Sequence, residues 1–318
     1  MKVAAGVHRP EVPGIAAVRA FAEEVGPTEA GLVTVVGGRT QWDVGGSVEP
    51  SVRTVRAPSG IVKYAPAEMI VRVGAGTTVA ELDASLAAAG QMVALDPHDP
   101  IAATVGGVLA VGRSGPRRLR WGPVRDTVLE THFVTAAGAV ARAGGPVVKN
   151  VTGFDLSRLL VGSLGTLAFI AQVVLRTQPR PAVSQWWRVP GADPTSLVAN
   201  LFRPSSILWD GTTAWVLLEG HAADVHAQAR LLGAAAELIA GAPALPSNGR
   251  VSMPPNEAAR LGPESFAGGF VAEIGVGVVH TAAEAAAATL APETAAVTVR
   301  LKAAFDPTGR LNPGRTVG

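Results

Sequence analysis

The sequence predicts an α+β protein of two unequal domains, the second a small ferredoxin-like unit. Three observations predict it. Glycines cluster where apolar strands meet loops, at Gly37 and Gly38, Gly106 and Gly107, and Gly162 and Gly165. Helical and strand periodicities alternate along the chain. The run Gln178, Pro179, Arg180, Pro181, Ala182 stops either one, because each proline removes a backbone donor and fixes φ. The boundary is placed there, giving domains 1–180 and 181–318.

In the first domain, Ile15, Val18, Phe21 and Val25 recur at helical spacing and end at Gly26 and Pro27. Residues 32–36 form a short apolar strand running into Gly37, Gly38, Arg39 and Thr40. Residues 69–73 read as a second strand, followed by a helix opened by the capping box Thr78 to Glu81 and stopped at Gly90. Residues 128–134 and 140–142 flank a turn at Ala137 and Gly138, a β-hairpin. Leu167, Phe169, Ala171, Val173 and Leu175 alternate along another strand. The surrounding stretch 159–175 carries no charge, but it falls just short of the roughly 18 residues a membrane span requires and is broken by Gly162, Ser163, Gly165, Thr166 and Gln172.

In the second domain, a strand at 186–189 precedes a helix opened by Asp193 and Pro194. A hairpin follows, 207–209 with 214–219 through Asp210 and Gly211, then a helix over 222–239. A strand over 270–280 completes β-α-β-β-α-β, the ferredoxin-like order.

Composition narrows the function. Apolar residues make up 48% of 318, enough for cores in both domains. A net charge of +2 without a basic stripe excludes a nucleic-acid partner. The chain has no cysteine, so any iron–sulfur acceptor belongs to another polypeptide. Residues 1–12 lack the apolar core of a secretory signal, which gives a cytoplasmic expectation.

A backbone relieved of side chains can present its N–H groups to a phosphate, and three glycine clusters at strand ends suit a pyrophosphate. No G-x-G-x-x-G opens a helix, so a Rossmann site is not supported. Neither Ser114 nor Ser163 lies in G-x-S-x-G, which removes a serine hydrolase.

Five segments occur in a recognisable order: GAGTTVAEL at 74–82, ATVGGVLA at 103–110, SGPRRLRWGPVRDTVL at 114–129, VVKNVTGFDLSRLLVGSLGTLAFI at 147–170 and LKAAFDPTGRLNPGR at 301–315. With them the chain resembles the vanillyl-alcohol oxidase superfamily, and within it the FAD-binding subunits of bacterial glycolate oxidase (glycolate dehydrogenase) complexes. The resemblance implies a PCMH-type FAD-binding domain of two α+β subdomains followed by a small cap domain. It implies that Gly37, Gly38, Arg39 and Thr40 hold the FAD pyrophosphate from one side and Thr104, Gly106 and Gly107 from the other. It places Ser114, Gly115, Arg125 and Asp126 along the flavin, and Gly153, Asp155, Leu164, Gly165 and Ile170 at the adenosine or ribityl end. Covalent relatives use a histidine or cysteine near the first glycine loop. Residues 37–42 have neither, so non-covalent FAD is expected.

Relatives that oxidise glycolate or D-lactate carry H-x-G-D-G-N-x-H on a strand of the second domain. Here that stretch reads Glu273, Ile274, Gly275, Val276, Gly277, Val278, Val279, His280, retaining the glycines and one histidine. His280 is thus the weak catalytic candidate, and His8, His98, His132, His221 and His226 show no metal-ligand pairing. The expectation is an FAD-holding subunit that supports a 2-hydroxy-acid-oxidising complex or relays its electrons. Its partners would be a larger FAD-containing catalytic subunit and an iron–sulfur subunit, through which it would lie at the inner face of the membrane. Two other readings stay open: a self-sufficient oxidoreductase whose base is Tyr64, His280 or Lys302, and a flavin-less scaffold. Arg117, Arg118 and Arg120 read as a solvated or partner-facing basic patch, and Trp186, Trp187, Trp209 and Trp215 as an interface anchor or a core.

Overall fold

A computed structural model describes residues 12–145, 155–284 and 291–316. Apolar residues three and four apart make α1 (Ile15–Val25), which buries Val18, Phe21, Ala22 and Val25 and stops at Gly26. The short strands β1 (Val33–Val35) and β2 (Arg53–Val55) pair in parallel. β3 (Ile61–Ala65) and β4 (Ile70–Gly74) lead to α2 (Val79–Ala87), where Thr78 and Glu81 form both hydrogen bonds of the capping box. After β5 (Gln91–Met92) come α3 (Val105–Val111) and the single turn α4 (Arg118–Trp121). The hairpin of β6 (Val128–Val134) and β7 (Val140–Gly144), α5 (Leu156–Leu160), β8 (Phe169–Arg176) and β9 (Gln178–Pro179) follow.

β3, β4, β8, β6 and β7 lie side by side, in that order, as an antiparallel sheet. The uncharged stretch ends as β8 at its centre, buried at every residue but Arg176. Ile170, Val173 and Leu175 join the core made with α2 and α3, and Phe169 and Ala171 join the one made with α1. No helix of the described residues is long and apolar enough to cross a membrane.

The later part of the chain adds β10 (Val183–Pro190), α6 (Pro194–Asn200), β11 (Ser206–Trp209), β12 (Thr213–Gly220), α7 (Ala222–Leu231) and β13 (Glu237–Ile239). Then come β14 (Gly249–Ser252), α8 (Pro255–Ala258), β15 (Phe270–Glu273), β16 (Val278–Thr281) and α9 (Pro292–Phe305). The sheet order is β13-β10-β12-β11-β15-β16-β14. Its first four strands, with α6 and α7, are the ferredoxin-like β-α-β-β-α-β unit.

Two elements differ from the sequence reading. The helix expected over 222–239 ends at Leu231; Gly233 takes φ 88°, and the last residues become β13, the fourth strand of the unit. The alanines at 234–236 gave that stretch a helical look that the glycine overrides. The strand expected over 270–280 is instead the hairpin β15–β16, turned by Gly275 and Gly277 at φ 79° and 80°. It extends the sheet at the edge opposite β13.

Register divides the faces of this sheet. Val189, Trp187, Val216, Leu218, Ile207, Trp209, Ala272 and Val279 pack with α6 and α7 in one core. The opposite face presents Trp186, Trp215, Glu219, Leu208, Glu273, His280 and Arg250. The four tryptophans are thereby split, Trp187 and Trp209 toward the helices, Trp186 and Trp215 away from them.

Candidate functional site

A cavity of about 320 Å³ opens in the first domain. Its walls come mainly from three chain crossings separated widely in sequence, 34–44, 104–111 and 163–170, joined by 56–59 and 75–76, with Asn312 and Arg315 reaching in from the C-terminal segment. Ten of the sequence-derived candidates line it together: Gly37, Gly38, Arg39, Thr40, Thr104, Gly106, Gly107, Leu164, Gly165 and Ile170.

Local chemistry explains how these crossings come so close. A Cβ on Gly38 would overlap the Ala102 carbonyl, and one on Gly106 would lie 2.7 Å from Ala75 Cβ. Only hydrogen permits those approaches. Thr104 is the N-cap of α3, its hydroxyl accepting from the Gly107 N–H at 3.2 Å. Ser163 is spent on the fold as well, donating to the Leu160 carbonyl at 2.8 Å.

The lining carries three guanidiniums, Arg39, Arg56 and Arg315, and no carboxylate. Arg39 and Arg315 stand over Trp42 at 5.1 and 4.8 Å from its ring centre, and burial pushes the Arg315 guanidinium below its usual value. Gln41 Oε1 is buried here without a hydrogen-bond partner among the described residues. Cationic walls with an unsatisfied acceptor suit an anionic ligand that also carries N–H or O–H donors, which a dinucleotide does.

Other candidates sit elsewhere. Ser114 accepts from the Val124 N–H at 3.0 Å, and Gly115 is required by the backbone of Asp96 pressed against it. Asp126 is paired with Arg158, Asp155 caps α5 through the Arg158 N–H at 3.0 Å, and Arg125 is exposed in the turn before β6. None of these five is in the cavity wall. Gly153 lies outside the described residues. The basic stretch beside them is not a solvated patch. Arg117 makes a two-pronged contact with Glu219 at 2.9–3.1 Å and reaches Asp96 at 2.7 Å, while Arg120 donates to the Glu219 carbonyl. His280 Nε2 lies 2.8 Å from Glu273 Oε1 on the face of the second sheet opposite α6 and α7.

Residues 15–144 match the family of FAD binding domains, and residues 264–316 match the C-terminal domain of FAD-linked oxidases. The chain carries a PCMH-type FAD-binding domain. The cofactor of such a domain is FAD, and the glycine-lined cavity is built largely within the matched residues. The chain is similar to glycolate oxidase subunit GlcE of Escherichia coli (strain K12), 37% identical over 216 residues that cover 66% of this chain and 61% of that one. It is also similar to a D-lactate dehydrogenase of Archaeoglobus fulgidus, 40% identical over 108 residues, 34% of this chain and 24% of the relative. It thus spans about three fifths of the first relative's length and about a quarter of the second's. Among solved structures, alkyldihydroxyacetonephosphate synthase has the same fold, with TM-score 0.54 and 16% identity over 67% of this chain and 48% of that one.

The cavity also takes in residues that sequence reasoning left out: Gln41, Trp42, Arg56, Asn312 and Arg315. The last two belong to the segment 301–315, which was visible as a C-terminal signature but gave no sign of folding back 270 residues onto the first glycine loop.

Proposed function

We propose that this chain is the FAD-holding subunit of a complex that oxidises a 2-hydroxy acid, in the manner of a glycolate oxidase. The observation that carries the reading is the cavity itself, cationic, glycine-walled and closed by Asn312 and Arg315. Gly37 to Thr40 and Thr104 to Gly107 would face the pyrophosphate, with Arg39 and Arg315 neutralising its charge, and Leu164 and Ile170 would shield the less polar end of the cofactor. FAD would supply two-electron acceptance at the flavin. Among the described residues the wall contains no histidine, and the chain contains no cysteine, so the cofactor would be held without a covalent bond. Yellow colour remaining with acid-precipitated protein would contradict that.

The subunit role is supported by similarity to a protein named as a glycolate oxidase subunit. The 2-hydroxy acid would reduce the flavin of a larger catalytic subunit, and electrons would go on, with this chain supporting the assembly or relaying them, to an iron–sulfur subunit, because this chain has no thiolate to ligate iron. Those partners would seat it at the cytoplasmic face of a membrane. The test is the anaerobic visible spectrum of the purified chain before and after glycolate. A flavin band unchanged by glycolate, and bleached only with the partner subunits present, is the expected result. Bleaching of the lone chain would make it self-sufficient.

A further inference from the structure

The helices of the second domain leave a groove between α6 and the end of α7, about 270 Å³ in volume and sharing no residue with the cofactor cavity. Val189, Leu197, Leu201 and Leu232 are buried in its floor, and Leu231, 59% exposed, stands on its rim with Asp193. Beside it the chain holds an aromatic ring in water. Leu201 has extended backbone after α6 and turns its side chain inward, so Phe202 points outward and is 76% exposed. Val198, one helical turn earlier, is exposed as well. Arg203 follows at φ 48°, a left-handed conformation that a bulky side chain rarely adopts. Among the described residues its guanidinium has no hydrogen-bond or ion-pair partner.

A phenylalanine, a leucine and a valine held out beside an apolar groove keep surface in water that association would bury. Two features choose the occupant. The ring and the groove lie on one surface, so a second copy turned about a twofold axis offers each ring to the other's groove. Such self-complementarity is what a twofold interface requires. The charges, in turn, stand at opposite ends of α6. Asp193 caps its start, where the Ser196 hydroxyl and the N–H groups of Thr195 and Ser196 hold the carboxylate below its usual value. Arg203 comes two residues after its end cap, Leu201. Two copies of α6 lying antiparallel across the axis bring each guanidinium to the other's carboxylate, twice per dimer.

We infer that the chain forms a twofold dimer through α6, each Phe202 seated in the α6–α7 groove of the other copy and each Arg203 paired with the other copy's Asp193. The groove is on the side of the second sheet that α6 and α7 cover, opposite the Glu219 side that Arg117 and Arg120 hold. Dimerisation therefore leaves the cofactor cavity open, and the inference does not depend on the function proposed above.

The experiment is sedimentation equilibrium of the purified full chain over a range of concentrations, with FAD content read from absorbance and folding from thermal unfolding. The wild type should sediment as a reversible dimer. Phe202→Ser and Leu231→Ser change exposed side chains, so each should weaken the dimer by about ten-fold or more while FAD content and unfolding temperature stay as they were. Arg203→Glu sets like charges together and should weaken it too. Adding Asp193→Asn, which keeps the helix cap and removes the charge, should recover part of that loss. A chain monomeric at every concentration, a dimer indifferent to Phe202→Ser, or an Arg203→Glu defect that Asp193→Asn does not relieve would overturn the assignment. So would association that requires a different subunit, since the groove would then receive another protein. A dimer without FAD would count against the cofactor reading and leave this one standing.

Discussion

Asn312 donates its Nδ2–H to the Leu164 carbonyl oxygen at 2.6 Å, across 148 residues of sequence. Its Oδ1 accepts from the Thr34 hydroxyl at 2.6 Å and the Val35 N–H at 3.2 Å. One carboxamide therefore ties the first strand, the turn before β8 and the C-terminal segment, all three of them walls of the cavity. Leu164 and Asn312 themselves sit at φ 53° and 45°, a strained conformation that these contacts hold in place.

Asn312→Asp keeps the oxygen that Thr34 and Val35 use but sets a second oxygen against the Leu164 carbonyl. Asn312→Ala leaves the Thr34 hydroxyl and the Leu164 carbonyl without a protein partner. Each should lower stability by about 1–3 kcal/mol and weaken FAD by more than the same loss placed elsewhere in the fold. Flavin fluorescence titration alongside thermal unfolding separates the two effects. FAD affinity unchanged in both variants would show that the clasp does not shape the site.

Arg310, fully buried, extends the closure. Its guanidinium donates to the carbonyls of Gly31, Gly26, Ala136 and Val25 at 2.8–3.0 Å, stitching the C-terminal segment to the end of α1. The planar fork suits this number of acceptors, and an ammonium does not. Arg310→Lys should cost about 3 kcal/mol in denaturant unfolding, because some carbonyls are left unpaired and the charge stays buried. A loss under about 1 kcal/mol would mean that water replaces the missing donors.

The sequence made much of this legible, and the limits have physical causes. α1, the capped start of α2, the β6–β7 hairpin and the Asp193 cap of α6 rest on interactions within a few residues, and each was read near its observed place. The division of 222–239 between α7 and β13 was missed because alanine permits what Gly233 and sheet pairing forbid. Three glycine clusters marked the cavity, since backbone approach leaves a local trace in residue type. Asn312 and Arg315 left none, because their partners lie at the far end of the chain. Of the segment from Ser114 to Asp126, expected along the flavin, Arg117 and Arg120 reach Glu219 of the second sheet, while Val124 and Asp126 are held by the first.

A buried histidine makes acid stability testable. His132 Nδ1 accepts from Gln172 Nε2–H at 3.2 Å, and its Nε2 lies 3.5 Å from Glu130, which is paired with Arg72 at 2.7 Å. Burial pushes the imidazole below its usual value, with Glu130 opposing. The folded chain thus prefers neutral His132, so its contribution is full above the unfolded value of about 6.5 and is lost as pH falls from there toward the folded value, by up to about 1.4 kcal/mol per unit. Thermal unfolding between pH 5 and 8 should show this decline in the wild type and a flatter profile in His132→Gln. Parallel profiles would assign the acid sensitivity to other groups.

The Arg117–Glu219 pair gives the opposite pattern when broken. Burial raises the Glu219 carboxyl, but the hydrogen bonds and charge of Arg117 more than offset it and hold the group below its usual value. Its stabilisation is therefore in place above about pH 4.3 and lost as pH falls through the folded value. Asp96 is raised by its burial in spite of Arg117. Removing the cation in Arg117→Met leaves both carboxylates without it, at a cost of about 3–5 kcal/mol near neutrality. Protonation relieves them, so the deficit should shrink as pH falls toward about 4. Adding Glu219→Gln should recover part of it at pH 7 and little at pH 4, which a double-mutant cycle at the two pH values measures. A deficit independent of pH would mean that Arg117 acts through its packing rather than its charge.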